Sequence, residues 1–241
     1  HLSAIHFGNN NKNNNKVPYI HLNDYTPDNY RFKKVWEDLE EANKLGIKIV
    51  AMVGGAGGAY GYLFSEFDTY YPILRDFLKK HSIIKGIDLD IEEVVSLENV
   101  KMLINKINED FGGEYIISMA PVQSSLEINE NGLGGFIYKD LYNTKEGQRI
   151  NYFNTQFYFD YSFDSFVTIL NNGYPPEKIV VGSISSQKTS NCANEIKKIA
   201  QHYPIFGGVF NWEYFDVEPS CNGWANMMNN IINRSNLDYQ I

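Results

Sequence analysis

The segment Lys85-Gly86-Ile87-Asp88-Leu89-Asp90-Ile91-Glu92-Glu93 concentrates the chemistry of this chain. Strand side chains alternate between faces, so Ile87, Leu89 and Ile91 share one face and Asp88, Asp90 and Glu92 the other. Neighbours on one face lie about 6–7 Å apart, from a rise of ~3.3 Å per residue. Carboxylates at that spacing resist ionising together, and at least one pKa is expected to rise. A carboxyl that keeps its proton near neutral pH is what a general acid requires. The bland alternative is an edge strand with a solvated acidic face, although natural edges more often carry Lys.

Other candidate groups stand at the ends of other apolar runs. Ile47–Val53 leads into Gly54-Gly55-Ala56-Gly57-Gly58, where missing side chains permit close approach by a ligand or a neighbouring strand. A plain tight turn is the equal alternative. No Lys follows and no helix-opening G-x-G-x-x-G is present, which argues against a phosphate loop. Met119-Ala120-Pro121, Gln156-Phe157-Tyr158 and Asn211-Trp212-Glu213 close three further runs. Each alone reads as core; their recurrence at one structural place marks a site. The histidines show no metal-ligand spacing, so no metal is expected. The chain also lacks a G-x-S-x-G elbow for serine catalysis.

These groups need elements to hold them. Strands are expected at Leu2–Phe7, Ile47–Val53, Ile84–Ile91, Tyr115–Ala120, Tyr152–Tyr158, Lys178–Ile184 and Phe206–Trp212. Helices are expected at Asn29–Leu45, Glu66–Lys80, Leu97–Asp110, Phe163–Asn171, Asn191–His202 and Gly223–Asn233. Such alternation implies parallel βαβ units. Val17–Leu22 follows Phe7 too closely for a crossover helix and reads as a hairpin. Asn9–Lys16 (NNNKNNNK) reads as an exposed loop. Ser124–Arg149 reads as an irregular excursion after a strand. An open doubly wound sheet would bury the acidic face under helices at high cost. A (β/α)8 TIM barrel turns that face inward and its strand ends toward a mouth. One such domain over residues 1–241 is the expectation.

The composition excludes several classes. The 241 residues carry a formal net charge of −8, which disfavours nucleic acid or an anionic membrane as partner. No stretch approaches the ~20 apolar residues of a membrane span. Two cysteines, Cys192 and Cys221, allow one bond or none. The chain begins at His1 without Met or a signal segment, which reads as an N-terminal piece removed or cut away. The pattern Asn233-Arg234-Ser235 leans toward a secreted or extracytoplasmic place. Oligomeric state is not legible.

Gly86-Ile87-Asp88-Leu89-Asp90-Ile91-Glu92 resembles the D-G-x-D-x-D-x-E signature of family-18 glycoside hydrolases, the chitinase-like barrels. Met52-Val53-Gly54-Gly55 resembles the family's S-x-G-G strand, Gln156-Phe157-Tyr158 its M-x-Y strand, and Trp212 the tryptophan that ends its last strand. The resemblance spans essentially the whole chain. It implies hydrolysis of β-1,4-linked N-acetylglucosamine by substrate-assisted retention, without cofactor. By that resemblance Glu92 is the general acid and then the base for water. Asp90 steadies the acetamido N–H, and Asp88 shares charge or a proton with Asp90. Tyr158 donates to the acetamido oxygen, and Trp212 floors the sugar pocket. Gln156, Met119, Gly54 and Gly55 are the further substrate-binding candidates, and Tyr60, Tyr62 and Trp36 are aromatic guesses.

Departures from the pattern are specific. Lys85 replaces the first Asp and Met52 the Ser, and Phe159 stands where an Asp or Asn often follows the Tyr. Leu2–Phe7 resembles the family's second strand, so the first is missing from this chain. The partner expected is an oligosaccharide containing N-acetylglucosamine. Alternatives are an inactive carbohydrate-binding barrel, an endo-β-N-acetylglucosaminidase on N-glycans, and a barrel using the acidic cluster for a divalent cation.

Overall fold

Short β-branched runs form strands and the amphipathic stretches between them form helices in the computed structural model, which describes residues 1–12 and 15–238. The strands are β1 Leu2–Lys12, β2 Asn15–Leu22, β3 Ile49–Gly54, β4 Ile84–Asp90, β5 Ile116–Met119, β6 Tyr152–Gln156, β7 Ile179–Ile184 and β8 Gly208–Trp212. The helices are α1 Lys33–Lys44, α2 Tyr60–Ser65, α3 Phe67–Lys80, α4 Leu97–Phe111, α5 Ser124–Glu127, α6 Tyr138–Tyr142, α7 Phe163–Asn171, α8 Thr189–His202 and α9 Cys221–Asp238. Each expected strand and helix has its counterpart, with ends shifted by a few residues.

The chain divides into two units. The first comprises His1–Met119, Leu133–Phe136 and Asp140–Asn151. In it, β1 runs parallel to β3, β3 to β4, and β4 to β5, while β2 pairs antiparallel with β1. The acidic strand β4 is therefore flanked on both sides and is no edge. Ile87, Leu89 and Ile91 on its apolar face are buried to within 2%. Full burial of one such side chain contributes about 1.5–3 kcal/mol. α4 presents Val100, Leu103, Ile104 and Ile107 as one buried stripe at helical spacing. Ser96 caps it by accepting from Asn99 N at 3.1 Å, and Gly112 ends it at φ 81°.

The second unit comprises Ala120–Gly132, Ile137–Lys139 and Tyr152–Ile241. Its strands β6, β7 and β8 are parallel. Ser162 caps α7 by accepting from Ser165 N. Cys192 and Cys221 are free thiols, and burial pushes the Cys192 thiol up to about 11.

Three details differ from the expectations. Asn9–Lys12 and Asn15–Lys16 belong to the strands of the β1–β2 hairpin rather than to a loop, because register pairs Asn9 with Pro18 and Lys12 with Asn15; residues 13 and 14 lie outside the described residues. The glycine stretch after β3 is followed at once by α2, a helix the spacing had not indicated. The excursion from Ser124 to Arg149 carries the short helices α5 and α6.

Candidate active site

Register places the acidic face. Met52 pairs with Asp88, Asp88 with Ser118, and Gly54 with Asp90, so these residues share one side of the first unit's sheet. Asp88 is 1% exposed and Asp90 6%. The Ser118 hydroxyl donates to Asp88 Oδ1, and His1 Nδ1 lies 3.6 Å from Asp88 Oδ2. Burial works to lower the His1 pKa, but the charge of Asp88 and a hydrogen bond to it prevail and raise it.

Asp90 carries the main electrostatic consequence. Burial first, and then the charges of Asp88 and Glu92, push its carboxyl up to about 8. The rise in at least one carboxyl pKa therefore falls on the central member. Glu92 is half-buried in the segment just after β4.

The glycines after β3 hold the backbone of this cluster. Gly55 N donates to the Asp90 main-chain oxygen at 2.9 Å. Gly54 sits at φ 99°, and a Cβ there would lie 2.3 Å from the same oxygen. A Cβ on Gly55, at φ 79°, would lie 3.3 Å from Asp90 Oδ2. Both positions demand glycine for conformation and space. Gly54→Ala is expected to destabilise the fold by roughly 2–3 kcal/mol, read as a lower midpoint in urea unfolding.

The residue after Glu92 is equally engaged. The Glu93 carboxylate accepts from the N–H groups of Ala59, Tyr60 (2.6 Å) and Gly61 (3.0 Å). It thereby ties the glycine loop and the start of α2 to the end of the acidic strand.

Within the second unit, Gln156 is 6% exposed and its Nε2 donates to the Ala120 carbonyl at 2.8 Å. It pairs with Gly182, and Gly182 with Phe210. Trp212, two residues past Phe210, shares that face and is 38% exposed. Its carbonyl accepts from Ser185 Oγ at 2.9 Å. Tyr158 is half-buried, and its carbonyl accepts from Gln187 Nε2 at 3.2 Å.

Not every candidate stands with the acids. Met119 pairs with Leu89, lies on the apolar face opposite the carboxylates and is fully buried. Tyr60 is also fully buried, its hydroxyl donating to the Val53 carbonyl at 2.9 Å. Trp36 stacks on His81 at 4.2 Å. Of the three aromatic guesses Tyr62 is the exposed one, at 47%. Lys85 is exposed, with its Nζ donating to the Ser82 carbonyl at 2.6 Å. Ser118, His1 and Glu93 were missed. Alternation in Ile116–Met119 would have found Ser118 once β4 and β5 were aligned; nothing local signals the other two.

Among the described residues no group of three His, Cys, Asp or Glu is arranged to hold a metal ion. No described helix is long and apolar enough to cross a membrane.

Comparison with known proteins adds to this geometry. No family model matches the chain. A fungal endo-β-N-acetylglucosaminidase from glycosyl hydrolase family 18 is 31% identical, with a TM-score of 0.79 over 90% of this chain and 82% of that one. The chitinase ChiC of Aspergillus fumigatus is 28% identical, with a TM-score of 0.80 over 95% of this chain and 86% of that one. Chitinase 2 of Rhizopus oligosporus is 23% identical over 209 residues, 74% of this chain. The chain spans 36% of that curated relative's length. Parallel strands alternating with helices, with buried carboxylates at one strand's end, place the chain in the (β/α)8 TIM-barrel class of these structures. The chain belongs to glycosyl hydrolase family 18.

Proposed function

We propose that residues 1–241 act as a single glycoside-hydrolase barrel domain that cleaves the β-1,4 bond between N-acetylglucosamine residues with retention of configuration. The observation that carries this reading is the alignment of Asp88 and Asp90 on one face of an interior strand, with Glu92 two residues past Asp90 and its charge helping to hold Asp90 largely neutral at pH 7. Glu92 protonates the departing glycosidic oxygen. The substrate's own 2-acetamido oxygen attacks the anomeric carbon as that bond breaks, giving an oxazolinium ion. Asp90 accepts from the acetamido N–H and offsets its growing positive charge, while Asp88 takes up the shared proton. Tyr158 donates to the acetamido oxygen and Trp212 packs under the sugar ring. Water then attacks the anomeric carbon, Glu92 takes its proton, and the acetamido group is restored. Gln156 positions Tyr158 through its anchored strand, and Gly54 and Gly55 hold Asp90.

The β-1,4-linked N-acetylglucosamine pair occurs both in chitin and in the core of N-glycans, and the two similar structures are named for one activity each. The test is release of a fluorophore from its β-chitobioside and β-chitotrioside, beside release of glycan from an N-glycopeptide. Turnover of either bears out the reading and its ratio assigns the substrate. Binding of N-acetylglucosamine oligosaccharides without turnover of any of the three would favour a carbohydrate-binding barrel, for which the Met52 substitution on the acidic face argues.

A further inference from the structure

The ladders of β4 stop short of Glu92. They end with Gly54–Asp90 on one side and Leu89–Met119 on the other. A proton donor misplaced by about 1 Å can lose about 10²-fold in rate, so other contacts must hold this segment.

Such contacts lie on both sides of the acid. Before it, Gly55 N donates to the Asp90 carbonyl at 2.9 Å, and Ile91 is buried. After it, Val95 N donates to the Gly134 carbonyl at 2.9 Å. The nearest anchor is the very next residue. The Glu93 carboxylate accepts from Ala59 N, from Tyr60 N at 2.6 Å and from Gly61 N at 3.0 Å. Bonds to a charged acceptor are roughly twice as strong as neutral ones. The donors themselves are fixed, because Tyr60 is fully buried and its hydroxyl donates to the Val53 carbonyl of β3 at 2.9 Å. The loop is also shaped to the carboxylate. A Cβ on Gly58 would lie 3.1 Å from Glu93 Cδ, and one on Gly61 2.9 Å from Oε1. A carboxylate held at three points leaves its own main chain little freedom, and Glu92 shares a planar peptide bond with it.

The source of the acceptor is informative. The first amides of a helix are ordinarily satisfied by Ser, Thr, Asp or Asn at the cap itself. Here Ala59 occupies that position without a side-chain bond, and the residue beside the acid supplies the acceptor. A local cap would steady α2 equally and do nothing for Glu92. We propose that Glu93 is a positioning residue for proton transfer, holding the Glu92 carboxyl in line with the departing glycosidic oxygen. This rests on the glycosidase reading above. In the step concerned the Glu92 O–H breaks and its proton joins the glycosidic oxygen, which keeps the electron pair of its broken bond to the anomeric carbon. The acetamido oxygen supplies the pair for the new bond there, and Glu92 is left as a carboxylate. Glu93 exchanges no proton.

The experiment compares kcat/KM for two β-chitobiosides, one of phenol and one of dinitrophenol. Phenolate is a poor leaving group and needs the proton of Glu92; dinitrophenolate departs nearly without it. The ratio kcat/KM reports the first bond cleavage, so the later attack of water does not enter. Glu93→Gln, which keeps one acceptor oxygen, is expected to lower kcat/KM by about tenfold or more for the phenyl substrate and by less than about threefold for the dinitrophenyl one. Gly61→Ala presses on Glu93 Oε1 without removing its charge, and is expected to shift selectivity the same way by about threefold. It decides the matter if Glu93→Gln does not fold. A general loosening of the fold would slow both substrates alike. Equal losses, or none, in the folded variants overturn the positioning role while leaving the glycosidase reading standing. A wild type that releases neither phenol overturns both.

Discussion

Glu92→Gln is expected to lower kcat on the β-chitobioside conjugate by about 10²–10⁴-fold, with a much smaller change in KM. The amide nearly matches the carboxyl in shape but has no proton to deliver to a departing oxygen and cannot take one from water. Both halves of the proposed reaction depend on that transfer, so the loss appears in kcat rather than in binding. Glu92 is half-buried beyond the end of β4, so the substitution leaves the core untouched. A variant that retains a tenth or more of wild-type turnover would remove Glu92 from the acid role. Initial rates over a range of substrate concentrations separate the two parameters.

Asp90→Asn is expected to act on both activity and stability. Loss of the group that offsets the oxazolinium charge should lower kcat by about 10²–10³-fold, the scale of removing one transition-state partner. The pH dependence carries an independent signature. Asp90 titrates at about 8 in the fold against an ordinary 3.8, because burial and the neighbouring Asp88 and Glu92 disfavour its charge. Between those values the native chain holds a proton that the unfolded chain has released. Stability therefore falls as pH rises. The contribution of the neutral carboxyl is full below 3.8 and is lost progressively up to about 8, by at most about 1.4 kcal/mol per pH unit. Asp90→Asn removes this slope. Urea midpoints measured at pH 5 and pH 8 should differ less in the variant than in the wild type. An equal difference in both would show that the carboxyl ionises normally in the fold.

The Asp88–Asp90 face was legible because a period of two needs no tertiary information: acids interleaved with Ile87 and Leu89 have one consistent reading in a strand, while Glu92 comes just past the strand's end. The parallel strands and the longer helices were legible likewise, from periods of two and about 3.6 along a single segment. The loop at Asn9–Lys16 was misread because the pairing of Asn9 with Pro18 comes from the opposite arm of a hairpin, and no local preference of asparagine announces it. Helix α2 was missed because the glycine-rich stretch before it masks its start, which is held by Glu93 from the segment after β4 rather than by a cap of its own.

The chain's own order of residues determined the acidic motif, the glycines that follow β3, the alternation that fills the core and the family resemblance, all of which depend on spacing along one strand. Tertiary structure decided the rest. Only the alignment of β4 with β5 puts Ser118 against Asp88 and turns Met119 to the other face. Only the burial of Asp90 beside Asp88 and Glu92 pushes its carboxyl up to about 8. Only the hairpin brings His6 and His21 face to face above the loop that Glu93 holds. Partners separated by tens of residues meet through sheet register and packing, and no periodicity within a segment encodes which distant strand will lie beside it.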